Sequence, residues 1–343
     1  MTNILTLGED ELKAFVEGLG MPSYRAAQIM RWVYAEGITA FEGMTNISKA
    51  DREKLAASSE VRPPVLIDRL VSADGSEKYL LGMDDGETVE SVLIPDEKRL
   101  TLCISSQAGC ALGCRFCLTG ASGFRRDLAA HEITGQVFMA RALAAPRVLT
   151  NIVMMGMGEP LLNVKGVFKA LKRLTNPDMF SISTRKITLS TAGVVPALRE
   201  LGESGLGVNL AVSLNAATDK VRDEVMPINR KYPLGTLIKA LKAYPLPPRR
   251  RITIEYVLLS GVNDTVEDAK ALTKLLKGVK CKVNLIPYNE HEGSLYKRPD
   301  KWAVLAFQEI LKSRNLTVFI RESRGADILA ACGQLRARGH NKA

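Results

Sequence analysis

The chain reads as an α/β protein: a partial (β/α)6 barrel over 99–343, preceded by an N-terminal helical segment over 1–60 and a small antiparallel β linker over 61–98. Three observations predict this. The first sixty residues carry apolar side chains at helical spacing. Between 64 and 95 the period changes to two, and Asp-Gly pairs interrupt it. From residue 99 onward, short apolar strands alternate with amphipathic helical stretches, and such repeats build a parallel sheet with right-handed crossovers.

In the N-terminal segment, Leu12, Phe15, Val16 and Leu19 mark one helix over 9–18. Pro22-Ser23 opens a second, Tyr24–Glu36, with Ile29, Trp32 and Val33, and a third follows over 49–58. The linker shows strands at 65–71, 78–82 and 88–94. Asp74-Gly75 and Asp85-Gly86 separate them, and such dipeptides supply the positive φ of tight hairpins. The barrel strands are expected at 100–105, 151–155, 186–190, 208–214, 252–258, 282–286 and 317–321. Helical patterns between them include 132–143, 164–174, 234–243, 266–276 and 302–313. In such a barrel the loops after the strands carry the chemistry.

Length agrees with this division, since 343 residues suit two domains, or one large domain with an appendage, at roughly 100–200 residues each. A 46% hydrophobic and 24% charged composition is ordinary globular usage and predicts a sizeable core. No run of about 18 apolar residues suggests a membrane span. The opening MTNILTLGEDELKAF lacks the basic and apolar regions of a secretory signal, so a cytoplasmic location is expected; a monomer is expected as well. Lys plus Arg number 47 against 37 Asp plus Glu, a formal charge of +10. That excess suits a polyanion such as nucleic acid, although many basic proteins bind none.

Of the six cysteines, Cys103, Cys110, Cys114 and Cys117 fall within fifteen residues; Cys281 and Cys332 stand apart. In a reducing compartment such clustering favours metal binding or catalysis over structural disulfides. Cys110, Cys114 and Cys117 form C-x3-C-x2-C directly after the first barrel strand. Three thiolates can hold three irons of a [4Fe–4S] cubane and leave the fourth iron open. The alternative is structural zinc, which wants four ligands at other spacings. The histidines, His131, His291 and His340, do not pair, and Gly135 stands where H-E-x-x-H would need its second histidine.

C-x3-C-x2-C with Phe116 before the last cysteine is the signature of the radical S-adenosylmethionine (SAM) superfamily. With Cys103 in TLCISSQAGC, MGMGEPLLN at 155–163, MPINRKYP at 226–233 and ACGQL at 331–335, the chain resembles the bacterial RNA adenine-C2 methyltransferases over 24–335. The resemblance implies 23S ribosomal RNA, and in some members tRNA, as substrate. It implies one [4Fe–4S] cluster on the three cysteines, two SAM molecules per turnover and a low-potential electron donor of flavodoxin or ferredoxin type.

It also implies roles. Adenine carbon 2 is electron-poor and a weak nucleophile, so a methyl group is first placed on a cysteine, here Cys332, and delivered to the base as a carbon radical. Cys103 then resolves the protein–RNA adduct by forming a disulfide with Cys332, a thiol–disulfide step that needs an external reductant for reset. Read without the resemblance, Cys103 is equally a buried strand cysteine. Glu90 in VESVLIP shares a strand face with Val92 and Ile94, and the resemblance makes it the proton acceptor. Desolvation on an apolar face would raise its pKa; a solvated glutamate is the bland alternative. SAM would be held by Gly158, Glu159, Ser190, Ser213, Leu214, Asn215 and Asn289. Glycines here allow close approach to the ligand, and Glu159 would accept from the SAM ammonium. Asn215 departs from the histidine associated with many members. Arg125-Arg126, Arg249–Arg251 and Arg336-Ala337-Arg338 are candidate phosphate contacts, and the N-terminal helices the RNA-docking element. Three rivals stay open: a carbon-8 adenine methyltransferase with the same thiol chemistry, a glycyl-radical activator, and an RNA-binding protein with a structural metal.

Overall fold

In the computed structural model, which describes residues 1–336, the chain opens with the two-residue strand β1 (Thr2–Asn3). Helices α1 (Glu9–Gly18), α2 (Arg25–Met30) and α3 (Lys49–Ser58) follow. β2 (Ser59–Glu60) then pairs with β1 in parallel, so the helical segment closes on itself. The expected second helix extends beyond α2 as a π-turn over Arg31–Ala35. Leu12, Val16, Ile29, Val33 and Leu55 are fully buried, as the helical spacing requires.

The meander β3 (Val65–Val71), β4 (Glu77–Gly82) and β5 (Thr88–Asp96) is antiparallel throughout. It is continuous with the barrel sheet. β5 pairs antiparallel with β6 (Arg99–Cys103), so three linker strands and seven parallel strands form one ten-stranded open sheet among the described residues. After β6 comes a hairpin, β7 (Gln107–Gly109) and β8 (Phe124–Asp127), with the short helix α4 (Leu118–Ala121) inside its loop. Then follow α5 (Ala130–Ala144), β9 (Asn151–Met154), α6 (Val164–Thr175), β10 (Ile187–Thr191), α7 (Val195–Glu203) and β11 (Asn209–Ser213). α8 (Asp219–Val225), α9 (Leu234–Ala243), β12 (Ile252–Leu258), α10 (Val266–Leu275), β13 (Cys281–Pro287), α11 (Lys301–Ser313) and β14 (Val318–Ile320) come next. β6 and β9 to β14 lie side by side in chain order, all parallel, as βα units dictate. No strand closes the sheet back on itself among the described residues, and the barrel is partial.

The main apolar core runs from Ile4 in the helical segment to Leu335 beyond the last strand. Two arginines fasten the helical segment to the barrel helices. Arg173 of α6 donates to the carbonyls of Leu5 (2.7 Å) and Leu7 (2.9 Å), and Arg141 of α5 donates to that of Tyr34 (2.8 Å). No helix among the described residues is long and apolar enough to cross a membrane.

Candidate active site

The loop 110–123 is pinched shut by two glycines. Gly109 and Gly123 both have positive φ, and a Cβ on Gly109 would stand 1.9 Å from the Gly123 carbonyl oxygen. Cys110 N–H donates to that carbonyl at 2.8 Å. A second, smaller apolar cluster supports the loop, with Phe116 packed among Met226, Tyr288 and Tyr296, and Cys114 and Cys117 against it. Cys110, Cys114 and Cys117 thereby line one cavity at the carboxyl ends of the parallel strands, where chemistry is expected in a βα architecture. Burial, aided by the neighbouring sulfurs, pushes the Cys110 thiol up to about 11 and that of Cys114 well above its ordinary value. Uncompensated thiolates are disfavoured here, and a cationic iron–sulfur cluster would stabilise them. Among the described residues no three His, Cys, Asp or Glu side chains converge on a single-ion site. A cubane asks for no such convergence, because it offers each thiolate a separate iron.

The same cavity collects Gly158, Glu159, Ser190, Ser213, Asn215 and Asn289 from the ends of successive strands. Leu214, expected beside Ser213, does not face it. Its side chain is fully buried, and its carbonyl accepts from Arg222 Nε at 3.0 Å. The glycines of MGMGEP have a reason the sequence reading did not anticipate. A Cβ on Gly156 would meet Ser105 Oγ at 2.7 Å, and one on Gly158 (φ 95°) would meet Gln107 Cβ at 2.5 Å. Close approach is needed to the protein itself as well as to any ligand. Glu159, 3% exposed, already accepts from Ala192 N–H (2.7 Å) and Leu161 N–H (3.0 Å), while burial pushes its carboxyl up. Asn215 adopts a left-handed φ of 56°, which asparagine tolerates, and its Oδ1 accepts from Val257 N–H at 2.8 Å.

Two side chains around this cavity escaped the sequence reading. Arg222 of α8 has no exposed surface; it donates to the carbonyls of Leu214, Ala192 (2.7 Å) and Ser213 (3.3 Å) and to Asn229 Oδ1 (3.1 Å). Burial lowers its pKa to about 10, and its charge faces Cys114. It fastens two strand ends and the MPINRKYP turn together. Glu255 of β12, 5% exposed, lines the cavity. Its Oε1 accepts from Asn284 Nδ2 at 3.0 Å, while its buried Oε2 has no hydrogen-bond partner among the described residues. Buried polar atoms are rarely orphaned. An N–H or O–H of a bound SAM would satisfy this one, so the orphan oxygen and the donor set both fit the cofactors.

Cys332 is exposed at the rim of this cavity and also lines a second, smaller one with Cys103 and Arg321. Cys103 is buried, and its thiol is pushed up to about 12 by burial and then by the sulfur of Cys332, with Arg321 opposing. All six cysteines are free thiols, and the disulfide expected between Cys103 and Cys332 is absent from the structure. Cys281 is a buried strand residue of the core.

Register places Glu90 nearby. Val92 of β5 stands opposite both Lys78 of β4 and Cys103 of β6, so Lys78, Glu90 and Cys103 share one face of the sheet. The expected apolar face therefore also carries a lysine. Glu90 is 4% exposed; its Oε1 lies 3.1 Å from Lys78 Nζ, and its Oε2 accepts from Arg336 N–H at 2.9 Å. It lines neither cavity. The segment 322–336 lies across this face, tied down by Asp74 accepting from Gly325 N–H (2.9 Å) and by Asp327 accepting from Ala73 N–H (3.1 Å). Of the candidate phosphate contacts, Arg126 is committed to Asp85 and Glu132, Arg250 to the Gly207 carbonyl (2.5 Å) and Arg251 to Thr317 Oγ1 (2.9 Å). Ala337 and Arg338 lie outside the described residues.

Residues 2–61 match the ribosomal RNA large subunit methyltransferase N-terminal domain, and 104–275 match the radical SAM superfamily. The chain is 52% identical over 328 residues to the dual-specificity RNA methyltransferase RlmN of Geotalea uraniireducens, covering 96% of this chain and 94% of that protein. It is 50% identical to the protein of the same name from Syntrophobacter fumaroxidans, covering 95% and 96%. A crystal structure of a radical SAM methyltransferase from Sphaerobacter thermophilus superposes with a TM-score of 0.93 at 41% identity, covering 98% of this chain and 100% of that one. Three cysteines at the strand ends, a fourth at the rim and relatives matched along nearly the whole length lead to one assignment: the chain belongs to the RlmN family of dual-specificity RNA methyltransferases, within the radical SAM superfamily.

Proposed function

We propose that the chain methylates carbon 2 of adenine in 23S ribosomal RNA and in tRNA, with Cys332 as the carrier of the new carbon. The observation that carries this reading is the position of Cys332, which borders the cavity of the three cluster cysteines on one side and the cavity of Cys103 on the other. A sulfur so placed can receive a methyl group at one site and be attacked by a thiolate at the next.

When bound, the [4Fe–4S] cluster and two SAM molecules per turnover supply the methyl group and the carbon radical. Cys110, Cys114 and Cys117 would hold the cluster and leave one iron for SAM. Gly158, Glu159, Ser190, Ser213, Asn215 and Asn289 would hold SAM at the strand ends. Cys332 accepts the methyl group, gives up one of its hydrogen atoms as 5′-deoxyadenosine forms, and joins the resulting carbon radical to the adenine. Glu90 takes the proton from the adenine carbon, and the unpaired electron of the adduct would return to the bound cluster, leaving a closed-shell thioether. Cys103 then attacks the Cys332 sulfur: an S–S bond forms, the S–CH2 bond breaks, and the electron pair goes to the carbon, which takes a proton to become the methyl group. The disulfide belongs to turnover, and an external reductant resets it. A low-potential flavodoxin or ferredoxin would supply the cluster's electron. Residues 1–60 serve as the RNA-docking helices, 61–98 as the meander that bears Glu90, and 99–343 as the radical SAM barrel.

The test is methyl incorporation into ribosomal RNA transcript fragments by anaerobically reconstituted enzyme. Wild type should yield 2-methyladenosine. Cys332→Ala should yield none, while SAM is still cleaved to 5′-deoxyadenosine with dithionite. Methylation that survives Cys332→Ala, or 8-methyladenosine as product, overturns the proposal.

A further inference from the structure

Lys78 is only 7% exposed, and an ammonium buried so deeply is costly unless paired. Its Nζ stands 3.1 Å from Glu90 Oε1 and donates to the Leu329 carbonyl at 3.2 Å. The other Glu90 oxygen accepts from Arg336 N–H at 2.9 Å. Leu329 and Arg336 flank Cys332 on either side, and Leu329 holds a left-handed φ of 52° that a branched side chain adopts reluctantly. One ammonium thus ties together the carboxylate of β5 and the loop that carries the reactive sulfur. A buried ion pair adds little net stability over apolar side chains of similar volume. It does fix where a carboxylate points.

We infer that Lys78 is a positioning residue for the methyl-transfer reaction: it aims the Glu90 carboxylate and keeps the Cys332 loop in register with it. The inference rests on the reading of Glu90 as proton acceptor given above. Lys78 touches neither RNA nor SAM in this role. Its loss should therefore spare the steps before proton removal and slow those after it. The adduct between protein and RNA would form but be released slowly.

The experiment uses reconstituted holoenzyme, SAM, dithionite and a transcript bearing the target adenine. It reads 5′-deoxyadenosine, the protein–RNA adduct on a denaturing gel, and methyladenosine in the digest. In a single turnover, with enzyme in excess over transcript, Lys78→Gln should keep 5′-deoxyadenosine within about twofold of wild type, accumulate the adduct, and slow the appearance of methyladenosine at least about tenfold, part of what a general base contributes. Lys78→Arg keeps the charge but changes its reach, and should fall between the two. Methyladenosine unchanged in Lys78→Gln overturns the inference, and so does a parallel fall of all three products, which marks a structural role alone. If Lys78→Gln fails to load a cluster, Lys78→Arg decides: reduced methyladenosine with SAM cleavage intact supports the inference, and wild-type methyladenosine overturns it. Glu90→Gln separates the two readings. If it methylates normally, the role of Glu90 itself fails; if it is impaired while Lys78→Gln is normal, only Lys78 is dismissed.

Discussion

Arg222 and Glu255 are buried charges, and each is explained only by partners on other elements of the fold. Arg222 satisfies three carbonyls and the Asn229 amide in a place water does not reach. Arg222→Met should destabilise the protein by about 3 kcal/mol or more, because it orphans several buried acceptors at once. Denaturant unfolding of wild type and variant measures this. Glu255→Ala removes the unpaired Oε2 and should do the opposite, leaving stability unchanged or raising it, since the buried carboxyl accepts only one hydrogen bond. Its effect should appear in SAM binding, weakened about tenfold if a ligand N–H or O–H is the missing donor, as judged by equilibrium dialysis. Unchanged SAM affinity would remove Glu255 from the cofactor site. The three cluster cysteines were legible because their spacing is itself the chemistry. Arg222, Glu255 and Lys78 were not, because a lone charge at helical or strand spacing reads as a solvated face until the fold places something over it.

The elements were mostly legible for the same reason that the barrel forms. Strands 65–71 and 252–258 are found as read, and the other expected strands agree within two residues. The β7–β8 hairpin around the cysteine loop was not, because its three- and four-residue strands are too short to show a period, and only the contact between Gly109 and Gly123 closes it. Nor did the sequence indicate that the meander joins the barrel sheet, since edge pairing between β5 and β6 leaves no local mark. That union gives the segment 322–336 a floor to rest on, and its fastening is testable. Burial would raise the Asp74 carboxyl, but hydrogen bonds from Gly325 and Ser76 hold it near 2, below its ordinary 3.8. A depressed carboxyl stabilises the fastened state fully above about pH 4, and that stabilisation fades as pH falls through about 2. At neutral pH, Asp74→Ala combined with Asp327→Ala should loosen the segment without unfolding the barrel. Hydrogen exchange should then quicken over 322–335 and stay unchanged in β9 to β13. Uniform exchange across both would show that these carboxylates do not hold the segment.

Across the whole molecule, a formal charge of +10 on an RNA-modifying enzyme makes affinity depend on salt. The structure sorts which cations are available for that task. Arg126 bridges Asp85 and Glu132, while Arg141 and Arg173 bind the helical segment to the barrel; these charges serve the fold. Arg126→Ala and Arg173→Ala should therefore lower stability and change the slope of log affinity against log salt little. Arg249 on a turn and Arg125 on β8 are exposed, and neither forms an ion pair among the described residues. Replacing one of them by alanine should reduce that slope by about 0.7–0.9 if it meets a phosphate, with stability unaltered. Filter binding of a target transcript between low and physiological salt distinguishes the two groups. A slope that falls for Arg126→Ala and holds for Arg249→Ala would mean that RNA breaks the ion pairs of the free protein, and that the docking surface is made on binding.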